Sequence, residues 1–449
     1  MSESTNDLDR RDFLKLGSAA VVAGAVAARS RPTVQAQSSG GFLAAPPIDL
    51  VRIGFVGVGL QGGSHVNNLL KIPGCRIAAV CDIRKERTDW ATKVITEAGH
   101  PAPTAYTNGP RDFERLCADE DLDLVYTATP WEWHVPVMLA AMSHGKHAAT
   151  EVPAATSVED CWALVESAEK YKKHAIMMEN CNYGRTEMMA FNIIKQGLLG
   201  DVLHAEGGYL HDLRSIKFED RNEGLWRRAW AMKLNGNLYP THGLGPVANC
   251  MDINRGDRYD YIVSMAGPSR GLQDWAREHY PADSSKRQET YVLGDVHTSL
   301  VKTANGKTIM VQFNTNLPRP YSRINQMQGT KGIIQGYPDR VYIEGRGRNH
   351  QWVDAAELRE EFDHPLWREM DERAAGAGHG GMDYMEDYRL IKCLREGLAT
   401  DMTVYDAASM SALVELTARS NESKSRPLDI PDFTRGQWRT NPKLEIVHA

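Results

Sequence analysis

Much of what commonly announces a protein's partners is missing from this chain. No basic run interleaved with aromatics occurs, and the formal net charge is -6, so neither nucleic acid nor an anionic membrane surface is expected as a partner. The seven cysteines, at 75, 81, 117, 161, 181, 250 and 393, form no C-x-x-C pair and most fall within apolar strand or helix patterns, which favours buried thiols over staples or metal ligands. There is no H-x-x-x-H and no carboxylate cluster at ligand spacing, and His211, Asp212 and His379 are scattered through loops, so no metal is expected. No internal repeat is visible. The apolar run from Leu16 to Ala28 is shorter than the ~20 residues a spanning helix needs and is rich in Ala and Gly. A stable membrane anchor is therefore not expected.

That run follows Arg10-Arg11-Asp12-Phe13-Leu14-Lys15 and precedes a Pro/Ser/Gly-rich spacer to about Pro47, the pattern of a twin-arginine export signal. Cleavage after Ala27 or after Ala36 fits the small-residue context. The route carries folded proteins, so a cofactor acquired in the cytosol would travel inside, and the expected location is periplasmic or secreted.

The first sharp motif is Val51-Arg52-Ile53-Gly54-Phe55-Val56-Gly57-Val58-Gly59-Leu60-Gln61-Gly62, an apolar strand running into a glycine-rich turn. Gly57 permits the turn, Gly59 admits a pyrophosphate, and Gly62 lets the next helix pack closely with its N–H groups toward the phosphates. Leu60 and Gln61 open that helix. Asp82, ending the next apolar run, suits an adenosine ribose with a free 2′-hydroxyl and so favours NAD. Arg84 and Lys85 leave NADP open.

Short apolar runs alternate with helix-like runs from 51 to about 180. Strands are predicted at 53–57, 76–81, 124–127, 146–150 and 175–178, and helices at 85–98, 110–117, 135–143 and 158–171. Beyond Arg185, alternating stretches at 202–209, 259–266, 296–303, 308–315, 322–328 and 332–334 predict a large open, mostly antiparallel sheet. The fold class expected is α/β: a Rossmann parallel-sheet domain over 48–183, after a signal and spacer over 1–47, then an α+β domain over 184–449. Late helices at 383–396 and 404–420 are expected to pack back on the cofactor domain or across the junction. An exposed sheet face makes a homo-oligomer plausible.

Thr127-Ala128-Thr129-Pro130-Trp131-Glu132-Trp133-His134, the run Ala140–His147 and Glu151-Val152-Pro153 resemble the Gfo/Idh/MocA oxidoreductase family. Two departures stand out. Val152 replaces the lysine that the wider family often uses for proton transfer, and Tyr239-Pro240-Thr241-His242 keeps the family histidine without the Asp four residues before it. Trp131 in place of the usual Asn adds an aromatic wall near the nicotinamide end.

These departures, with Glu179-Asn180-Cys181-Asn182-Tyr183, His211-Asp212-Leu213-Arg214, the run Gly236–Pro246 and Gly378-His379-Gly380-Gly381-Met382-Asp383, resemble glycoside hydrolase family 109. That resemblance implies an NAD-dependent glycosidase, with N-acetylgalactosaminides as the namesake substrates. NAD-dependent enzymes are a recognised exception to two-carboxylate hydrolysis. Transient oxidation at C3 acidifies the C2 hydrogen, the glycosidic oxygen leaves C1, water adds and the sugar is reduced again, so one retained NAD suffices.

By the same resemblance Trp131, Trp133, His134, Glu151, Val152 and Asn180 belong to the cofactor site. Tyr209, Arg228, Tyr239, Pro240, Thr241, His242 and Tyr321 belong to the sugar site. For acid–base work His242 comes first, then Tyr239 and Tyr183. Asp383 is expected as a helix N-cap and His379 as a turn residue, the alternative being that the two close the site. Two other readings compete: a periplasmic NAD(P)-dependent sugar oxidoreductase, and a non-catalytic dinucleotide-binding protein.

Overall fold

The computed structural model describes residues 42–348 and 350–445, which pack as one compact unit. The twin-arginine segment lies outside the described residues. Phe42 packs against Tyr405 with the Arg255 guanidinium over its ring, and Ile48 N–H donates to the Leu394 carbonyl.

Six parallel strands form the first sheet: β1 (Val51–Val56), β2 (Cys75–Cys81), β3 (Thr104–Tyr106), β4 (Leu124–Thr127), β5 (His147–Thr150) and β6 (Ala175–Met177). Their spatial order is β3-β2-β1-β4-β5-β6. The order reverses between β1 and β4, and the crevice beyond the carboxyl ends of those two strands is where such a sheet receives a ligand. Ile53, Phe55, Leu124 and Tyr126 are fully buried, as expected for strands covered on both faces. Helices Leu60–Leu69, Lys85–Glu97, Phe113–Asp119, Trp131–Ser143 and Val158–Tyr171 supply the cover.

The second sheet has nine strands: β7 (Val202–Leu210), β8 (Tyr259–Ala266), β9 (His297–Thr303), β10 (Thr308–Asn314), β11 (Gln326–Gly329), β12 (Gly332–Gln335), β13 (Arg340–Ile343), β14 (Val353–Asp354) and β15 (Leu428–Asp429). The order is β14-β13-β12-β11-β7-β10-β9-β8-β15, and only β7 with β10 is parallel. The predicted strand at 322–328 begins later, because 322–325 leave the ladder after a single bridge from Ser322 to Leu210. Leu203, Met265 and Leu300 stand exposed on this sheet.

Helix Thr241–Cys250 is unexpected, since Gly243, Gly245 and Pro246 all disfavour a helix. Close packing explains it. A Cβ on Gly243 would lie 2.3 Å from the Gly208 nitrogen, and one on Gly245 would lie 2.6 Å from Glu179 Cγ. Only glycines let this helix rest directly on β7 and on the segment after β6, which brings His242 to both. The late helices Met382–Glu396, Val404–Ser411 and Leu413–Glu422 return across the first sheet, where Glu415 accepts from Val158 N–H at 2.7 Å and Ser411 from Ala154 N–H at 3.1 Å.

Candidate active site

At the crevice, Gly57 takes φ +82, and a Cβ on Gly62 would meet the Gly57 carbonyl oxygen at 2.0 Å. Both positions are closed to any side chain. Gly59 differs, since a Cβ there would meet only Arg84 Nη2 at 3.5 Å, leaving open space beside the helix N-terminus where a pyrophosphate belongs. Arg87 steadies the loop by donating to the carbonyls of Val58 and Gly59, and Asn222 helps line a cleft of about 540 Å³ beside Gly59 and Leu60. Each Asp82 oxygen accepts one backbone N–H, Val58 at 3.0 Å and Arg84 at 2.9 Å. That holds the carboxylate in place with lone pairs to spare for hydroxyls. Lys85 is paired with Asp89 at 2.6 Å, which leaves Arg84 as the cation nearest Asp82. These residues fit a dinucleotide.

Deeper in, His65 is fully buried between two carboxylates: Nε2 lies 2.7 Å from Glu151 Oε1 and Nδ1 lies 2.8 Å from Asp387 Oδ2. Burial opposes the imidazolium, yet Asp387 and Glu151 together raise the His65 pKa well above its ordinary value. Asp383 collects Asn180 Nδ2 at 2.7 Å, Gln61 Nε2 at 3.2 Å and His379 Nδ1 at 2.9 Å. Despite burial, these donors and the nearby imidazoles hold its carboxyl well below the usual range. Asp383 is therefore not an N-cap. Gly381 occupies that position, and Asp383 ties three segments together under the crevice.

Most of the residues expected at the sugar site converge. Tyr239 and His242 ring centroids are 4.7 Å apart, Tyr209 lies 4.8 Å from Tyr239 and 5.2 Å from His242, and Tyr321 is 6.1 Å from Tyr209. Trp131 joins this wall at 5.7 Å from Tyr239 and touches Trp226 and Trp230 as well. Pro240 is buried and stands as N-cap to the helix, and Thr241 is fully buried behind the wall.

His242 has an acidic companion after all, supplied from elsewhere in the chain. Its Nδ1 lies 2.7 Å from Glu179 Oε1, on the segment following β6. Burial alone would push the Glu179 carboxyl up. The charge of His242 and its hydrogen bond hold it below the usual range, with help from the nearby Thr241 hydroxyl, whose geometry falls short of a hydrogen bond. Glu179, Cys181 and His242 also bring three potential ligand atoms within 4.8 Å of one another. Burial pushes the Cys181 thiol up, and it donates to Asn180 Oδ1 beside the hydrogen-bonded Glu179–His242 pair.

Four expected site residues point elsewhere. Arg228 donates to Glu289 at 2.8 Å and to the Lys217 carbonyl at 2.8 Å, because its position on the short helix Arg227–Lys233 turns it away from the rings. Arg227 takes the place expected of it, with its guanidinium 5.0 Å from the Tyr239 and Trp226 ring centroids and 5.3 Å from Trp131, paired to Glu223. The Tyr183 hydroxyl donates to Asp401 at 2.9 Å, and burial pushes its pKa well up, so it sits behind the site as a structural donor. Both His134 nitrogens lie 2.8 Å from backbone carbonyls, those of Pro153 and Thr129, so its ring clamps two turns together. Trp133 packs against Phe113. Val152 is buried, which leaves no cationic head beside Glu151 at that position.

Two family models match the chain: an oxidoreductase family with an NAD-binding Rossmann fold over residues 51–179, and the C-terminal domain of glycosyl hydrolase 109 over residues 183–440. A glycosyl hydrolase family 109 protein of Shewanella baltica is 44% identical over 99% of this chain and 100% of its own length. The chain belongs to glycosyl hydrolase family 109. Another such protein, from Shewanella pealeana, is 43% identical over 98% of this chain and 99% of its own. Among solved structures, a levoglucosan dehydrogenase in complex with NADH and L-sorbose superposes with a TM-score of 0.63 at 19% identity, covering 86% of this chain and all of that one. A scyllo-inositol dehydrogenase from Lactobacillus casei, with NAD(H) and scyllo-inositol, gives 0.61 at 14% identity over 85% and 99% of the two chains. At those identities the likeness is one of fold, and it extends over both sheets of the family 109 protein.

Proposed function

We propose that this protein is a glycosidase that works with a permanently held NAD, cleaving N-acetylgalactosaminides or related sugars in a redox-neutral cycle after folded export to the periplasm or beyond. The observation that carries the reading is the Glu179–His242 pair opening on a wall of aromatic rings, with Val152 where a dehydrogenase of this fold would carry its lysine. Held in the crevice by Gly57, Gly59, Gly62 and Asp82, NAD would supply reversible two-electron oxidation of a sugar hydroxyl and so make the adjacent C–H acidic.

The chain's own residues then move protons. Glu179 holds His242 by Nδ1, which fixes the ring and leaves Nε2 to exchange a proton with substrate. The Tyr209 and Tyr239 rings pack against it, the Tyr209 hydroxyl pairing with His211 Nδ1 at 3.1 Å, and burial raises both phenols, so each stays neutral at working pH. Trp131, Trp226 and Tyr239 supply flat apolar surface for a sugar ring and keep water from it. Arg227 stands among those rings as the cation for an acetamido carbonyl or a hydroxyl pair.

Replacing Arg227 with Gln should raise KM by about 10-fold or more, the scale of one hydrogen bond to a charged group. Arg228→Gln should lower the melting temperature and leave KM near its parent value. The exposed apolar face of the large sheet suits a homo-oligomer, which sedimentation would read directly.

A nitrophenyl glycoside incubated with purified protein and no added cofactor tests the function. Sustained aglycone release without net NADH is expected. A single burst of NADH would make the protein a sugar oxidoreductase instead.

A further inference from the structure

Behind the Glu179–His242 pair lies a small, partly open cavity that Glu179 shares with Glu386, on the late helix Met382–Glu396. It holds about 20 Å³, counted over positions a water's centre can occupy. One water needs roughly 10–15 Å³ on that measure. Three buried carboxylate oxygens around it, Glu179 Oε2 and both oxygens of Glu386, have no hydrogen-bond partner among the described residues. Buried polar atoms in native proteins are nearly always satisfied, and these three are all acceptors if both groups are ionised. The Thr241 hydroxyl, itself without a partner, stands near Glu179 short of a hydrogen bond, and both Glu386 oxygens lack a donor.

The neighbours say which group carries the proton. Glu386 is faced by Glu151, Asp383 and Asp387, with His65 as the cation on that side, and His65 is already bonded to Glu151 and Asp387. On the other side are Tyr183 and Arg389, and both are held by Asp401: Arg389 donates to it from Nε and Nη2 at 2.8 Å each. Glu386 is thus a fully buried carboxyl among three others, and burial and their charge push it well above the ordinary carboxyl range. Glu179 is the reverse case, held ionised by His242. His242 itself is faced by Glu179, the Cys181 thiol, Tyr209, Tyr239 and His211.

We propose that one ordered water in this cavity links Glu386, standing as a neutral carboxylic acid, to Oε2 of Glu179, so that Glu386, Glu179 and His242 form one hydrogen-bonded chain. Glu386 O–H donates to the water and the water donates to Glu179 Oε2. Glu179 Oε1 accepts from His242 Nδ1–H. The second water proton returns to the other Glu386 oxygen. The three orphaned carboxylate oxygens of this cavity are then satisfied with one water and one acid proton. Glu386 is a positioning residue in this scheme: it never meets substrate, but by sharing the Glu179 charge it weakens the carboxylate's pull on the imidazole proton and so sets the basicity of His242. The value of that setting for turnover rests on the function proposed above, whereas the chain itself does not.

Two measurements on the cofactor-bound, full-length protein test it. Glu386→Leu removes the donor, so Glu179 pulls harder on the imidazole, and the His242 titration followed by NMR of labelled histidine should move up by about 1 pH unit, the worth of one charge-assisted hydrogen bond. Glu386→Gln keeps a neutral donor and should restore the parent titration. In infrared difference spectra at neutral pH, Glu386→Gln should also erase the carbonyl stretch of a protonated carboxylic acid, an arm that needs only the isosteric variant to fold. A wild-type spectrum without that band, or a His242 titration indifferent to Glu386→Leu, overturns the proposal. Both readouts are independent of glycoside cleavage, so an inactive protein with a responsive His242 would remove the function and keep the chain.

Discussion

His242→Asn should lower glycoside turnover by about 10²–10⁴-fold, the usual worth of a positioned general acid or base, while the purified protein still carries its NAD. Asparagine is the informative substitution because its amide can still donate to Glu179 Oε1, now 2.7 Å from the imidazole. The buried carboxylate keeps a partner, so the loss reports proton transfer rather than collapse of the pocket. Cofactor content is read from the absorbance of the denatured supernatant, and kcat/KM from an aryl glycoside. If His242 only filled space between Tyr209 and Tyr239, the rate would change by a few-fold at most.

The second large effect falls on stability. His65→Leu leaves Asp387 and Glu151 facing each other without their shared cation, and removing one partner from a buried ion pair costs about 3–5 kcal/mol. The pH dependence has a definite sign. Because the His65 pKa is raised on folding, its contribution is fully present below the unfolded value near 6.5 and fades as pH rises through the folded value. Asp383 and Glu179 behave oppositely: held down on folding, they lose their contributions as pH falls. The melting temperatures of the parent and His65→Leu should therefore lie furthest apart near pH 6 and converge as pH rises, and a gap that widens with pH would contradict the assignment.

The first sheet is legible because its strands are continuous apolar runs ending in turn residues, and its glycine loop gains meaning from the strand before it, the helix after it and Asp82 on the next strand. β3 escaped notice since three residues carry no periodicity. Helix Thr241–Cys250 was invisible for a better reason: its glycines read as a turn in isolation, whereas in the fold they are the close approach that sets His242 against Tyr209 and Glu179. No local pattern links positions 179 and 242, so the acidic partner seemed lost when it had only moved to another segment.

Arg227 and Arg228 show the limit from the other side. Adjacent arginines on a short helix differ by about 100° in direction, and which one faces the rings depends on how that helix docks. A carboxylate at a helix start usually caps it, but the Asp383 carboxylate is claimed by Gln61 and Asn180 from distant segments and by His379 from the preceding turn.

Cleavage of a glycoside in heavy water follows the proposed redox cycle atom by atom. The released sugar should carry deuterium at C2, deuterium placed beforehand at C3 should slow the reaction, and no NADH should accumulate. A sugar released with its C2 hydrogen intact, at a rate indifferent to the isotope at C3, would contradict that cycle.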